Sequence, residues 1–132
     1  MIEIVADKDI PYLKEVFENS KTFRLKTLPF DEINKKTLKN SQALLSRSAT
    51  ILNNELIDGT DIRFIFSLTS GEDHIDHDFL SSREIFIKTA KGANAQAVLE
   101  YTLDALSFSS EKKVGLIGEG HIGSKLKKVL SF

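Results

Sequence analysis

Short apolar runs alternate with helix-compatible stretches along most of the 132 residues, and that alternation is the pattern of a parallel sheet covered by helices. The predicted strands are 2–5, 22–25, 43–45, 64–68, 85–87 and 114–117. Between the first two, Asp9 is placed to cap a helix with Pro11 in its first turn, where a missing amide hydrogen costs nothing. That helix shows Leu13, Val16 and Phe17 at i, i+3 and i+4, one apolar face. Asp31 is read as the start of a second helix through Ile33 and Leu38. Residues 53–58 form a short third one closed by Gly59. Asp76 opens a turn of helix through Phe79 and Leu80. The longest predicted helix, 94–108, is headed by Asn94 and has a wide face of Ala95, Val98, Leu99, Thr102, Leu103 and Leu106. The clearest break in composition is SFSSEKK, after which four of the seven glycines fall.

Composition narrows the class without choosing a function. Apolar residues make up 41% and charged residues 28%, which suits a globular chain, since disordered chains are poorer in aliphatics. The length is that of one domain with a sizeable core. Eighteen basic against nineteen acidic residues give a formal charge of -1, so no overall field draws the chain to nucleic acid or an anionic membrane. Any bound anion must be held locally. Cysteine is absent, which removes disulfides, thiolate nucleophiles and thiolate metal sites. The amino terminus lacks the apolar core of a signal peptide, and no run approaches the ~20 apolar residues of a membrane span. A cytoplasmic location is the expectation.

Ligands of open parallel sheets collect beyond the carboxyl ends of the strands, so the loops there are where chemistry is sought. After the third strand SRSAT places Arg47, Ser48 and Thr50 together. A guanidinium fork with neighbouring hydroxyls suits a phosphate or carboxylate; the alternative is an Arg paired with a surface acid. After the fourth strand, Thr69, Ser70 and Gly71 offer backbone N–H groups to an anion as a nest does, with Gly71 allowing close approach. His74 and His77 in the same loop sit at metal-ligand spacing, but a zinc site wants a defined third ligand. They are therefore read, with Asp73, Asp76 and Asp78, as loop-bracing and helix-capping residues, and no metal is expected. Glu100 belongs to the wet side of the long helix.

The chain closes with VGLIGEGHIG, in which Gly118, Gly120 and Gly123 spell G-x-G-x-x-G after an apolar run, the pyrophosphate turn of a dinucleotide site. The succession VADKDIPY, LLSRSAT, SLTSGEDHID, KGANAQAVLEYTLDAL and VGLIGEGHIG resembles, in order and separation, the amino-terminal part of the D-isomer-specific 2-hydroxyacid dehydrogenases, over nearly the whole chain. The resemblance implies a flavodoxin-like three-layer αβα substrate-binding domain over residues 1–92, a crossover helix at 93–110 and the start of an NAD-binding Rossmann domain at 111–132. It matches Ser48 and Thr69 to the family's substrate contacts, with Arg47, Ser70 and Gly71 beside them, and Gly118, Gly120 and Gly123 to the cofactor's pyrophosphate turn. NAD is the implied cofactor and a phosphorylated 2-hydroxy acid the implied substrate class. Two departures stand out: Glu72 occupies a position where relatives usually have a small neutral residue, and the segment between Leu106 and Val114 is shorter than usual.

The family's catalytic Arg, Glu and His and its ribose-binding acid fall beyond Phe132, and His77 and His121 match non-catalytic positions. Hydride transfer needs the cofactor's reactive carbon held against the substrate and a base for the hydroxyl proton. The expectation is a truncated dehydrogenase-like chain with no catalytic residue of its own, silent alone and depending on a missing carboxyl-terminal half. The alternative is a non-catalytic binding or interaction module. Val114, Leu116, Ile117, Ile122, Leu126, Val129 and Leu130 need cover, which leads to the expectation that the last segment docks as an added strand and helix on its own domain or, in preference, on a second copy in a symmetric homodimer. Lys125, Lys127 and Lys128 fit as cations near a helix C-terminus.

Overall fold

The computed structural model describes residues 1–107 and 113–130. The chain divides into two compact units, Met1–Ala90 and Lys91–Phe132.

The first unit is a five-stranded sheet in the order β2-β1-β3-β4-β5, parallel throughout. Its strands are β1 (Ile2–Asp7), β2 (Phe23–Leu28), β3 (Ala43–Ser46), β4 (Phe64–Ser67) and β5 (Phe86–Thr89). The central strands read as near-continuous apolar runs; the face carrying Val5, Leu44 and Ile65 is buried, while on the opposite face Phe64 and Phe86 stay 44% and 52% exposed. β2 lies on an edge, and its Arg24 and Lys26 face solvent, a common protection against edge-to-edge pairing. Successive residues of β1 serve opposite faces. Val5 packs with Leu44 and Ile65 under Leu38 of α2 (Lys35–Leu38), Ile57 of α3 (Asn54–Ile57) and Leu80 of α4 (His77–Ser82). Ala6 packs on the other side with Ile10 and with Leu13 of α1 (Leu13–Phe17). The result is the three-layer arrangement expected.

The helix caps follow side-chain chemistry. Asn34 accepts from the N–H groups of Lys36 and Thr37 while Thr37 answers the Asn34 N–H, a reciprocal box. Asn53 caps α3, and Asp76 accepts from Phe79 N to start α4, as predicted for Asp76. Gly59 ends the α3 region at φ +75°, a conformation in which glycine carries no Cβ penalty.

Several expectations are corrected. Asp9 caps nothing: α1 begins at Leu13 behind Tyr12, which lies at φ 62° and makes no side-chain cap. The Asp9 carboxylate is engaged by Arg47 instead. Val16 is 68% exposed, because a five-residue helix buries only the side chains nearest the sheet. The helix predicted from Asp31 is a 3-10 turn, Phe30–Glu32, and α2 starts only after Asn34, where a side chain can meet the N–H groups of the first turn. The first two strands run on to Asp7 and Leu28, since the β1–β2 ladder continues through that register.

The second unit contains α5 (Ala95–Ser107) and α6 (Gly123–Leu130). Ala95 and Leu99 of α5 are buried, Val98, Thr102, Leu103 and Leu106 are half-buried, and Glu100 is exposed, which is the amphipathic face predicted. The expected helix end at Phe108 lies outside the described residues, as does most of SFSSEKK. Residues 114–117 do not form the predicted strand. A strand is made by its ladder partners, and among the described residues none pairs with this segment; Val114 is 48%, Leu116 39% and Ile117 101% exposed. No helix among the described residues is long and apolar enough to cross a membrane.

Candidate functional site

Register brings a row of polar residues to the carboxyl edge of the sheet. Ser46 pairs with Ser67 and Ser67 with Thr89, and the β1–β3 ladder, in which Ala6 faces Leu45, sets Asp7 next along the same row. Each stands two residues beyond a core residue, Val5, Leu44, Ile65 or Ile87, so each points to the same face as the apolar core. Asp7, Ser46 and Ser67 are fully buried. An unpaired buried polar group costs free energy, so their partners define the site.

Asp7 meets Arg47 across the gap between β1 and β3. Arg47 Nε donates to Asp7 Oδ2 at 2.8 Å and Nη2 to Asp7 Oδ1 at 3.3 Å, while Nη2 also donates to Asp9 Oδ2 at 2.9 Å. Asp7 Oδ1 further accepts from Asp9 N at 3.0 Å. The hydrogen bond to Asp7, helped by the fields of both carboxylates and opposed by desolvation, holds the guanidinium more firmly protonated than usual. This gap is the topological switch point of the sheet, the position where such folds take ligands. Arg47 is thus paired with the exposed Asp9, as the surface-acid alternative had it, and also with the buried Asp7, which it had not, and Nη1 has no partner among the described residues. The trio of Asp7, Asp9 and Arg47 carries a net negative charge, so an anion arriving here relies on neighbouring N–H and O–H donors more than on Arg47.

Those donors lie at the β3 and β4 ends. Arg47 to Thr50 is a turn closed by Thr50 N donating to Arg47 O at 3.1 Å, which leaves Ser48 exposed on its rim and Thr50 buried. On the next strand Leu68 N donates to Ser46 O at 2.8 Å, setting the Thr69 loop beside the Ser48 loop. The structure therefore brings Arg47, Ser48, Thr69 and Ser70 to one edge. Ser70 Oγ reaches Ala90 O at 3.4 Å. No residue from 69 to 71 has a positive φ, so these amides form a bend and not a nest of alternating right- and left-handed residues. A Cβ on Gly71 would meet Asp73 Oδ2 at an ordinary 3.8 Å, and the close approach expected of this glycine is not required by the fold.

The hydroxyl of Thr69 is held from behind. Thr69 Oγ1 lies 3.1 Å from Ser67 Oγ, and Ser67 Oγ lies 2.9 Å from His74 Nε2. His74 is only 7% exposed, and its loop is pinned by Leu52 N to His74 O at 2.8 Å and Asp76 N to Leu52 O at 2.9 Å. Burial pushes its imidazole below the usual histidine value, against the opposing field of Asp73. Unfolded histidine titrates near 6.5, so between that pH and the lower folded value the unfolded chain binds a proton that the folded chain does not. Stability is then complete above pH ~7.5 and falls as pH drops through ~6.5. Urea midpoints at pH 7.5 and 5.5 should fall further for the wild type than for His74→Gln; equal falls would contradict a buried neutral imidazole.

The histidines do not converge. His77 Nε2 lies 3.6 Å from Glu72 Oε2, and Thr89 Oγ1 donates to Glu72 Oε1 at 3.1 Å, which turns this carboxylate toward β5. Ser46 Oγ and Thr50 Oγ1 are buried without a hydrogen-bond partner among the described residues. A cleft of about 740 Å³ is lined by Arg24, Lys26, Asn34 and Lys36 among others. It opens beside the amino ends of β1 and β3, away from the edge where this topology binds ligands, and its Arg24 is paired with Glu3.

Sequence reading missed Asp7, Ser67 and His74 as members of this site. Asp7 was legible only as a break in an apolar run. Its parity with Val5 was the available signal, because a charged residue on the inward face needs a partner.

In the second unit, Gly118 lies at φ +92° and a Cβ on Gly123 would stand 2.0 Å from Gly118 O, so both positions demand glycine. α6 starts at Gly123. A tight turn feeding a helix N-terminus fits a pyrophosphate, so Gly118, Gly120 and Gly123 suit the phosphate end of NAD. His121 packs its ring against Gly92, where a Cβ would meet Nδ1 at 3.3 Å.

Residues 1–124 match the family model described as D-isomer specific 2-hydroxyacid dehydrogenase, catalytic domain. Among curated relatives, the erythronate-4-phosphate dehydrogenase of Hahella chejuensis is 39% identical over 98% of this chain and 36% of its own length. That of Salmonella arizonae is 36% identical over 96% of this chain and 35% of its own. The chain thus spans about a third of the curated relatives it matches. Among solved structures, NAD+-bound 3-phosphoglycerate dehydrogenase of Entamoeba histolytica aligns with TM-score 0.69 at 19% identity, covering 98% of this chain and 50% of that one. NAD-dependent formate dehydrogenase of Staphylococcus aureus in complex with NAD aligns with TM-score 0.70 at 18% identity, covering 98% and 53%; at such identity these two speak for the fold. The chain belongs to the D-isomer specific 2-hydroxyacid dehydrogenase family.

Proposed function

We propose that this chain supplies the substrate-holding domain of an NAD-dependent dehydrogenase of the erythronate-4-phosphate type, and that the edge formed by Ser48, Thr69 and Ser70 takes a phosphorylated 2-hydroxy acid. The observation that carries this reading is the pairing of Ser46 with Ser67, which sets two hydroxyl-bearing loops side by side at the carboxyl edge of a family sheet. The 34–39% identity to proteins named erythronate-4-phosphate dehydrogenase supports that substrate over other 2-hydroxy acids. Arg47 has the role of a strut: it locks β1 to the loop after β3 and offers Nη1 alone to an incoming anion. Gly118, Gly120 and Gly123 would hold the pyrophosphate of NAD, which when bound accepts a hydride.

Binding is expected in the millimolar range, because hydroxyl and backbone donors at an exposed edge must offset desolvation and the nearby carboxylates. Calorimetric titration with erythronate 4-phosphate checks it. Ser48→Ala and Thr69→Val should each weaken binding about fivefold, the worth of one hydrogen bond of ~1 kcal/mol. Equal affinity in the wild type and both variants would remove the site.

A further inference from the structure

The buried line His74–Ser67–Thr69 has a direction that matters for any anion at the edge. Ser67 Oγ sits between His74 Nε2 at 2.9 Å and Thr69 Oγ1 at 3.1 Å, and a hydroxyl has one proton to give. If Ser67 donates to His74, it must accept from Thr69, and the Thr69 hydroxyl then shows only lone pairs to the outside. If His74 donates to Ser67, the Ser67 proton is free to go to Thr69, and Thr69 then keeps its own proton for a ligand. An anion requires the second arrangement, because phosphate and carboxylate oxygens accept hydrogen bonds from donors.

We infer that His74 is a positioning residue: as the Nε2–H tautomer it drives a one-way hydroxyl relay through Ser67 that makes Thr69 a hydrogen-bond donor to the phosphorylated hydroxy acid. The inference rests on the substrate reading given above. Three features of the fold support it. Ser67 is fully buried and His74 nearly so, so water does not compete for the chain of bonds. The His74 backbone is tied to Leu52, which fixes where the ring emerges. Thr69 is the half-buried end of the line, the place where the relay reaches the surface.

The tautomer is directly observable in the full chain. Long-range proton–nitrogen correlation of the imidazoles at pH 8 should show His74 with a protonated Nε2 and a bare Nδ1. A protonated Nδ1 would overturn the relay, whether or not any ligand binds. The second arm uses erythronate 4-phosphate: His74→Leu and Ser67→Ala should each weaken its binding about fivefold, and His74→Gln, which restores an N–H at similar reach, should recover affinity to within about twofold. In a Thr69→Val background His74→Leu should change affinity by less than about twofold. The same fivefold loss there would show that His74 acts otherwise and would also overturn the relay. Absence of binding by the wild type would refute the substrate reading, and the tautomer would still decide the relay.

Discussion

Arg47→Met is expected to lower the ratio of folded to unfolded chains by about tenfold to a hundredfold, the lower end reflecting solvent at the half-exposed guanidinium. The cause is what it leaves behind. Asp7 is fully buried and receives two of the guanidinium's hydrogen bonds; without Arg47 its carboxylate keeps, among the described residues, the Asp9 N–H. A buried carboxylate stripped of its counter-charge is worse for the fold than no carboxylate. The decisive comparison is therefore the double variant. Asp7→Asn in the Arg47→Met background removes the stranded charge, preserves the shape and retains an oxygen for Asp9 N, so it should raise the urea midpoint above that of Arg47→Met alone. A further fall would mean that Arg47 acts through packing of its stem and that the ion network is incidental.

Leu44→Ala is expected to destabilise the first unit by about 2–5 kcal/mol, the range for truncating a buried leucine in a core that relaxes only partly. Leu44 is fully buried at the centre of β3 and packs in the cluster that joins α2, α3 and α4 to the sheet. Val16→Ala supplies the contrast. The helical pattern put Val16 in the core, the structure exposes it, and its truncation should stay within ~0.5 kcal/mol. Chemical denaturation of both variants checks the pair; comparable losses would show that α1 packs Val16 into the core.

The fold was largely legible in the sequence because apolar strand runs and capped helices leave local signals. Runs such as Ala43–Ser46 and Phe64–Ser67 are continuous and apolar, and Asp76 and Gly59 punctuate the helices where a side chain or a positive φ is required. The failures share a physical cause. Whether Asp9 caps a helix depends on a competing partner 38 residues away, and whether 114–117 is a strand depends on a neighbour to pair with. Neither is a local property.

The site was legible in part for the same reason. Arg47, Ser48, Thr69 and Ser70 follow strands and could be placed on an edge by topology alone. The engagement of Arg47 by two carboxylates, and the line from His74 through Ser67, are long-range pairings set by register. Glu72 illustrates the point from the other side. As a bare letter it is a negative charge beside a candidate anion site, but in the fold its carboxylate accepts from Thr89 and lies 3.6 Å from His77 Nε2.

On the proposed function, this chain holds its ligand at the carboxyl edge between β3 and β4. Backbone amide shifts followed during titration with erythronate 4-phosphate test it most directly. Saturable changes are expected at residues 47–50 and 69–71, with little movement at Arg24, Lys26 and Lys36 in the cleft beside the amino ends of β1 and β3. Changes centred on that cleft, or none at the β3 and β4 loops at tens of millimolar ligand, would contradict it.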